Sequence, residues 1–166
     1  MSENGEERRL PLDRSVGYQV RQTHRLVQRA LQARIERHGV TLGMWYYLRV
    51  LWDGDGLTQR ELSRLTGTME PTALSAIAGM EKGGLVRRER DGSDRRKMNV
   101  FLTEKGRALQ ATLLPFAIEV VDLATAAMTE DERAQLLSLL RSMQEQLRAD
   151  LSAEDEEEDR DGVDPD

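Results

Sequence analysis

Six cations, Arg87, Arg88, Arg90, Arg95, Arg96 and Lys97, crowd around the short segment Asp91-Gly92-Ser93-Asp94. Guanidinium and ammonium groups gathered on a turn neutralise and hydrogen-bond phosphate oxygens. An arginine at the tip of such a turn can also enter a narrow A·T-rich minor groove, where negative potential is concentrated. On spacing alone, the same charges could serve only to keep a strand edge from pairing with another chain. A second cluster is aromatic: Trp45, Tyr46, Tyr47 and Trp52, with Arg49 among them, in a chain with only 4% aromatic residues. Apolar rings with a few convergent polar groups suit an aromatic or acyl ligand that carries an anionic group. They also suit an ordinary core whose tyrosine hydroxyls reach solvent.

Other chemistries find no support. The chain has no cysteine, which excludes disulfides and thiol redox sensing. His24 and His38 stand far apart with no carboxylate cluster beside them, so no metal is expected. No glycine-rich phosphate loop and no nucleophile elbow are present, and neither a cofactor nor an enzymatic activity is expected. The N-terminus is polar and no long apolar run occurs, so a cytoplasmic protein that makes no membrane contact is expected.

A net charge of −6 argues against nucleic acid until its distribution is considered. Residues 150–166 hold ten acids and one arginine, net −9, which leaves +3 for the rest, and residues 85–107 alone carry +4. A local basic stripe, rather than the total, sets phosphate affinity.

The elements that must carry these residues can be read from caps and periodicity. Thr58 with Glu61 makes a capping box for a short helix from Gln59 to about Leu65, which stops at Gly67. Pro71 suits the first turn of a second helix, Glu70 to Lys82, closed by Gly83-Gly84. Leu85-Val86 and Val100-Phe101-Leu102 flank the charged turn as a hairpin. Two short helices and a hairpin make a winged helix-turn-helix. Before it come a helix from Arg14 or Ser15 to His38 and another from Leu42 to Asp53. After it come a helix capped by Thr103, running to about Met128 with a kink or break expected at Pro115, and a last helix capped by Thr129 and Glu132.

The expected fold is therefore mainly α, a winged helix-turn-helix with long flanking helices. Residues 1–13 form a disordered tail, 14–151 the folded domain and 152–166 an acidic disordered tail, with 56–103 as its DNA-binding part. The flanking helices, 14–38 and 104–151, are apolar enough to need a partner for burial. Either they close into a bundle of their own or they pair with a second copy.

Leu85-Val86-Arg87-Arg88, then Asp94-Arg95-Arg96 followed by Val100, Leu102-Thr103 and Gly106, resemble the MarR family of transcriptional regulators, over residues 15–148. The resemblance implies a homodimeric repressor of a pseudo-palindromic double-stranded operator, with the flanking helices as the dimerisation region. It also implies release by a small aromatic effector: a phenol, an aromatic carboxylate or an aromatic acyl-CoA thioester. It assigns Ala73, Ile77 and Met80 to the core side of the recognition helix and Thr72, Leu74, Ser75, Ala78 and Gly79 to the groove side. Periodicity alone leaves Leu74 open to a core role. Relatives often carry arginine where Ser75 and Gly79 stand here, so direct readout is expected to be modest and shape a larger share. On the wing, Asp94 and Arg96 are expected to pair, Arg90 or Arg95 to be inserted, and Lys97, with Arg60 and Arg64 on the first short helix, to meet phosphates. Tyr18, Arg21, His24, Trp45, Tyr46, Arg49 and Trp52 are the expected effector contacts.

Overall fold

A computed structural model describes residues 11–94 and 96–161, the last eight as backbone only. The chain divides into two compact units, Met1–Asp122 and Leu123–Asp166.

In the first unit a 3-10 turn, Leu12–Arg14, leads into α1 (Val16–Ile35), capped by the Ser15 hydroxyl, which accepts from the Tyr18 amide at 3.3 Å. Residues 12 and 13, expected in the disordered tail, thus belong to an ordered turn, while 1–10 lie outside the described residues. A second 3-10 turn, Glu36–His38, ends at Gly39. Thr41 caps α2 (Leu42–Asp53), accepting from the Met44 amide at 3.3 Å.

The helix-turn-helix follows as α3 (Gln59–Thr66) and α4 (Glu70–Lys82). The capping box is complete: Glu61 N donates to Thr58 Oγ1 at 3.2 Å, and Thr58 N donates to Glu61 Oε2 at 2.8 Å. Gly67 closes α3 at φ 65°, a left-handed conformation that costs a glycine nothing. The intervening turn is tied by hydroxyls: Ser63 donates to Thr68 O, and Thr66 Oγ1 stands 2.9 Å from Thr68 Oγ1.

The sheet has three antiparallel strands in the order β1-β3-β2, with β1 at Leu57–Thr58, β2 at Val86–Arg90 and β3 at Met98–Leu102. Val86 pairs with Leu102 and Arg90 with Met98, while Leu57 pairs with Val100 on the other edge of β3. The single hairpin expected from sequence is thus joined by a third strand. Two residues are too short to show alternation, and Thr58 doubles as the cap of α3.

α5 (Glu104–Ala124) runs unbroken through Pro115, so of the kink or break expected there the break does not occur. Proline removes one ladder bond, and the buried Leu113 and Val120 hold the helix on either side of it. Its end at Ala124 falls short of the expected Met128.

The core of this unit gathers Ile35, Leu48, Leu51, Leu62, Ile77, Met80, Val100 and Leu113, each exposed by 1% or less. It therefore lies between α1, α2, the helix-turn-helix, β3 and α5. The second unit contains α6 (Glu130–Asp161), whose start is fixed by the expected box: Thr129 N donates to Glu132 Oε2 at 2.8 Å and Glu132 N to Thr129 Oγ1 at 3.3 Å. The helix continues ten residues past Leu151, through most of the segment expected to be disordered. Alanine and glutamate are good helix formers, and no glycine or proline occurs between Glu130 and Gly162. No described side chain of α6 is buried, and Leu139, Leu147 and Leu151 are all more than half exposed.

Candidate nucleic-acid interface

α4 is held against the body by one face. Ala73, Ile77 and Met80 are fully buried, whereas Thr72, Leu74, Ser75 and Ala78 are exposed. Leu74, at 44% exposure, is therefore not core. Gly79 departs from the expectation: a Cβ there would lie 2.9 Å from Met44 Cε, so this position abuts α2 rather than opening onto a groove. No side-chain cap closes the N-terminus of α4, and Gln59 Nε2 reaches its first carbonyl, Glu70 O, at 3.4 Å.

Beside α4 a cleft of about 980 Å³ runs between α3 and the turn end of the wing, lined by Thr58, Gln59, Arg60, Glu61, Ser63, Arg64, Glu70, Arg96, Lys97 and Met98. It brings together four of the expected DNA-binding residues, Arg60, Arg64, Arg96 and Lys97. Its two carboxylates, Glu61 and Glu70, are set against these four cations, which leaves the lining net positive. Glu61 is held by Thr58, and the hydrogen bonds from the Thr58 side chain and amide keep its carboxyl below the usual range. Gln59 and Met98 were not foreseen from sequence, because they reach the cleft only through the pairing of β1 with β3.

The wing is built from the Asp91 carboxylate outward. Its Oδ1 accepts from Ser93 Oγ at 2.5 Å, Ser93 N at 2.8 Å and Asp94 N at 2.9 Å, and its Oδ2 from Asn99 Nδ2 at 3.0 Å. Four donors on one carboxylate, the Ser93 hydroxyl foremost, hold its pKa far below the ordinary value. Arg96 Nε donates to Asp94 Oδ1 at 3.2 Å, the expected pair, while the Arg96 side chain stays 92% exposed. That bond, followed by one from the Arg96 amide, also lowers the Asp94 carboxyl. Arg90 is exposed at the end of β2, and Arg95 lies outside the described residues.

Two of the six cations counted around the turn are committed to neighbouring side chains. Arg88 reaches Glu81 Oε2 with Nε at 3.0 Å and Nη2 at 2.6 Å, tying β2 to α4. Arg87 lies 5.1 Å from the Phe101 ring centroid and donates to Glu89 at 2.7 Å. Their work is to fix the hairpin.

The wing base is clamped to α5 from both sides. Asp55 Oδ1 accepts from Leu102 N at 2.8 Å while Oδ2 accepts from Arg107 Nη2 at 2.7 Å. Thr103 Oγ1 donates to Gly84 O at 2.7 Å, and Trp52 Nε1 donates to Gly106 O at 3.0 Å.

Comparison with known proteins agrees with this geometry. The model of the MarR family matches residues 38–97. The chain is 34% identical over 155 residues to the HTH-type transcriptional regulator TtmR of Methylorubrum extorquens, an alignment covering 90% of this chain and 75% of that protein. The chain belongs to the MarR family. Among solved structures it is similar to the transcriptional repressor CouR bound to a 23-mer DNA duplex (28% identity, TM-score 0.73, 80% of this chain and 94% of that one). It is also similar to Bordetella bronchiseptica BpsR, a regulator whose DNA binding is controlled by 6-hydroxynicotinic acid (26% identity, TM-score 0.72, 78% and 98%). MarR-family proteins are DNA-binding transcriptional regulators that act as dimers, and they are not enzymes.

In this MarR-family chain the aromatic cluster and the other expected effector residues separate into two groups. Trp45 is 4% exposed, and its ring meets Trp52 edge-on at 5.7 Å. Tyr47 is fully buried, its hydroxyl 2.6 Å from Thr68 Oγ1. Trp52 is half-buried and its N–H is already committed to Gly106 O. These three rings are core, and they brace the turn of the helix-turn-helix and the start of α5. Tyr46 remains 37% exposed, with its hydroxyl accepting from Gln28 Nε2 of α1 at 3.3 Å. Arg21 and His24 are exposed on α1, while Tyr18 and Arg49 are half-buried. No described helix is long and apolar enough to cross a membrane.

Proposed function

We propose that this chain is a repressor that grips a pseudo-palindromic operator as a symmetric pair. Each copy lays α4 in the major groove, sets the cleft cations Arg60, Arg64, Arg96 and Lys97 on phosphates, and inserts a wing arginine, Arg90 or Arg95, into the adjoining minor groove. The observation that carries this reading is the juxtaposition of an exposed, uncharged helix face with a cationic cleft lined from both α3 and the wing. The pairing is supported by the apolar side chains that α1, α5 and α6 leave exposed, among them Val16, Leu26, Ile118, Leu139 and Leu147. Two-fold symmetry then puts two recognition helices on half-sites about one helical turn apart.

A small aromatic anion that binds more tightly to a dimer whose recognition helices have left operator spacing would release the DNA. The contact of Gln28 with Tyr46, with Tyr18, Arg21 and His24 on α1 and Arg49 on α2, supports a site along the α1–α2 seam. The control of BpsR by a hydroxylated aromatic acid supports the ligand class. The packed trio Trp45, Tyr47 and Trp52 favours a second reading, a regulator that binds DNA without a ligand, because it leaves less of the aromatic cluster for a guest. One experiment decides between them. Fluorescence anisotropy of the full chain on a duplex from its own upstream region is followed across a panel of aromatic acids and their CoA thioesters. Release by one of them supports the repressor with effector; binding unmoved by the whole panel supports the ligand-free reading; no binding of any duplex at low salt overturns both.

A further inference from the structure

We infer that Leu74 is the residue with which this recognition helix reads sequence, and that it reads the C5-methyl group of thymine in the major groove. The inference rests on the operator-binding reading and sharpens it.

The core does not require Leu74. The buried side of α4 is already filled by Ala73, Ile77 and Met80, each at 0% exposure, while Leu74 stays 44% exposed. A leucine held half in water on a helix without a partner gains free energy by meeting another apolar group.

The chemistry of the outward face leaves few alternatives. Between Thr72 and Glu81 there is no arginine, lysine, asparagine or glutamine. The bidentate forks that recognise guanine O6 and N7, or adenine N6 and N7, are therefore absent from this stretch. Thr72 and Ser75 offer hydroxyls, which accept either partner and discriminate weakly. The carboxylates of α4 stand at its ends, Glu70 lining the cleft and Glu81 bound to Arg88, so neither offers cytosine N4 an acceptor from the middle of this face. The remaining distinctive feature of a base-pair edge is the thymine methyl, and Leu74 is the largest apolar side chain this face presents, with Ala78 one turn further on.

The surroundings identify the occupant as a duplex. Leu74 lies in the N-terminal half of the second helix of a helix-turn-helix, the part that approaches base edges. The cleft next to the start of that helix carries Arg60, Arg64, Arg96 and Lys97, which suit a phosphate backbone. A protein partner for an apolar residue would not call for that density of positive charge.

The test uses the full chain and a duplex recovered by repeated selection from a random-sequence library. That duplex is resynthesised with deoxyuridine in place of thymidine, one symmetric pair of positions at a time. Uracil pairs as thymine does and lacks only the methyl group. At one such pair the wild-type protein should lose about fourfold in affinity per half-site, the equivalent of one buried methyl, or about 16-fold for the symmetric duplex. Leu74→Ala, at an exposed position, should fold as wild type by circular dichroism, bind the thymidine duplex correspondingly less well, and be indifferent to uridine at those positions. A wild type indifferent to uridine everywhere overturns the inference. A Leu74→Ala protein that still discriminates as wild type does also overturns it, because another group then reads the methyl. Failure to enrich any duplex removes the operator-binding reading itself and this inference with it.

Discussion

Substituting Gly106 by alanine tests whether the wing and α5 are packed as tightly as their backbones indicate. Gly106 sits in the first turn of α5, and a Cβ there would lie 2.0 Å from Leu85 O, 3.0 Å from Leu85 C and 3.2 Å from Leu102 Cδ2. Carbon and carbonyl oxygen do not ordinarily approach closer than about 3.3 Å, so the overlap exceeds 1 Å and its partner is backbone, which cannot rotate away. Relief requires α5 to move off the start of β2. That movement strains Thr103 N to Leu85 O at 3.0 Å, Thr103 Oγ1 to Gly84 O at 2.7 Å and Trp52 Nε1 to Gly106 O at 3.0 Å. Three hydrogen bonds at about 1 kcal/mol each outweigh the gain of about 1 kcal/mol from alanine in a helix. The net expectation is a destabilisation of about 2 kcal/mol and a visibly lower Tm. Urea unfolding at fixed protein concentration, which keeps dimer formation constant, measures it. Gly17→Ala is the control, since Gly17 is also in the first turn of a helix and nothing lies within 4 Å of its added Cβ; it should be neutral or mildly stabilising. A Gly106→Ala protein as stable as the Gly17→Ala one would refute the reasoning. Because the same shift moves the wing base, operator affinity should fall together with stability.

Further consequences follow from the cleft, the aromatic trio and the wing. Arg64→Ala and Lys97→Ala should each weaken binding to every duplex alike, and each should reduce the slope of log affinity against log salt by about 0.9, as for one lost phosphate contact; an unchanged slope removes that residue from the interface. Arg95→Ala should cost more than about 1 kcal/mol of operator binding if Arg95 is the inserted side chain, and equal affinity would leave Arg90 as the sole wing candidate. Tyr47→Phe deletes the hydroxyl 2.6 Å from Thr68 Oγ1 and should cost about 1 kcal/mol of stability, read from urea unfolding. Asp91 gives a pH prediction. Its folded pKa is depressed by the Ser93 hydroxyl, the Asp94 and Ser93 amides and Asn99. Its contribution is therefore present above the unfolded value of about 3.9 and lost only as pH falls through the lower folded value. The Ser93 and Asp94 amide resonances should hold steady through about pH 4, where an ordinary aspartate titrates, and a shift with its midpoint there would contradict the network.

What could be read from the chain, and what could not, divides along the range of the interactions concerned. The limits of α3 and α4 were legible because caps are local: Thr58 with Glu61, Gly67 and Pro71 act within one turn of the residue that carries the signal. The wing was legible as a density of charge, but not in its division of labour. Arg88 is committed to a neighbour because β2 pairs with β3 in a register that brings it beside Glu81, seven residues earlier on another element. β1 escaped notice because its two residues are a strand only by virtue of β3. The aromatic cluster looked like a ligand site because composition registers crowding and cannot register occupancy. Tyr47 and Trp52 had already spent their polar atoms on Thr68 and Gly106. The acidic segment was misjudged in the opposite sense, since its charge pattern suggests disorder while its backbone preference, free of glycine and proline up to Gly162, extends α6 to Asp161. Leu74 marks the limit of pattern. Its spacing fits a core seam as well as a groove face, and only the filling of that seam by Ala73, Ile77 and Met80 pushes it outward. A residue that the core has no room for, on a face without charged forks, is where this family member can differ from its relatives in the sequence it reads.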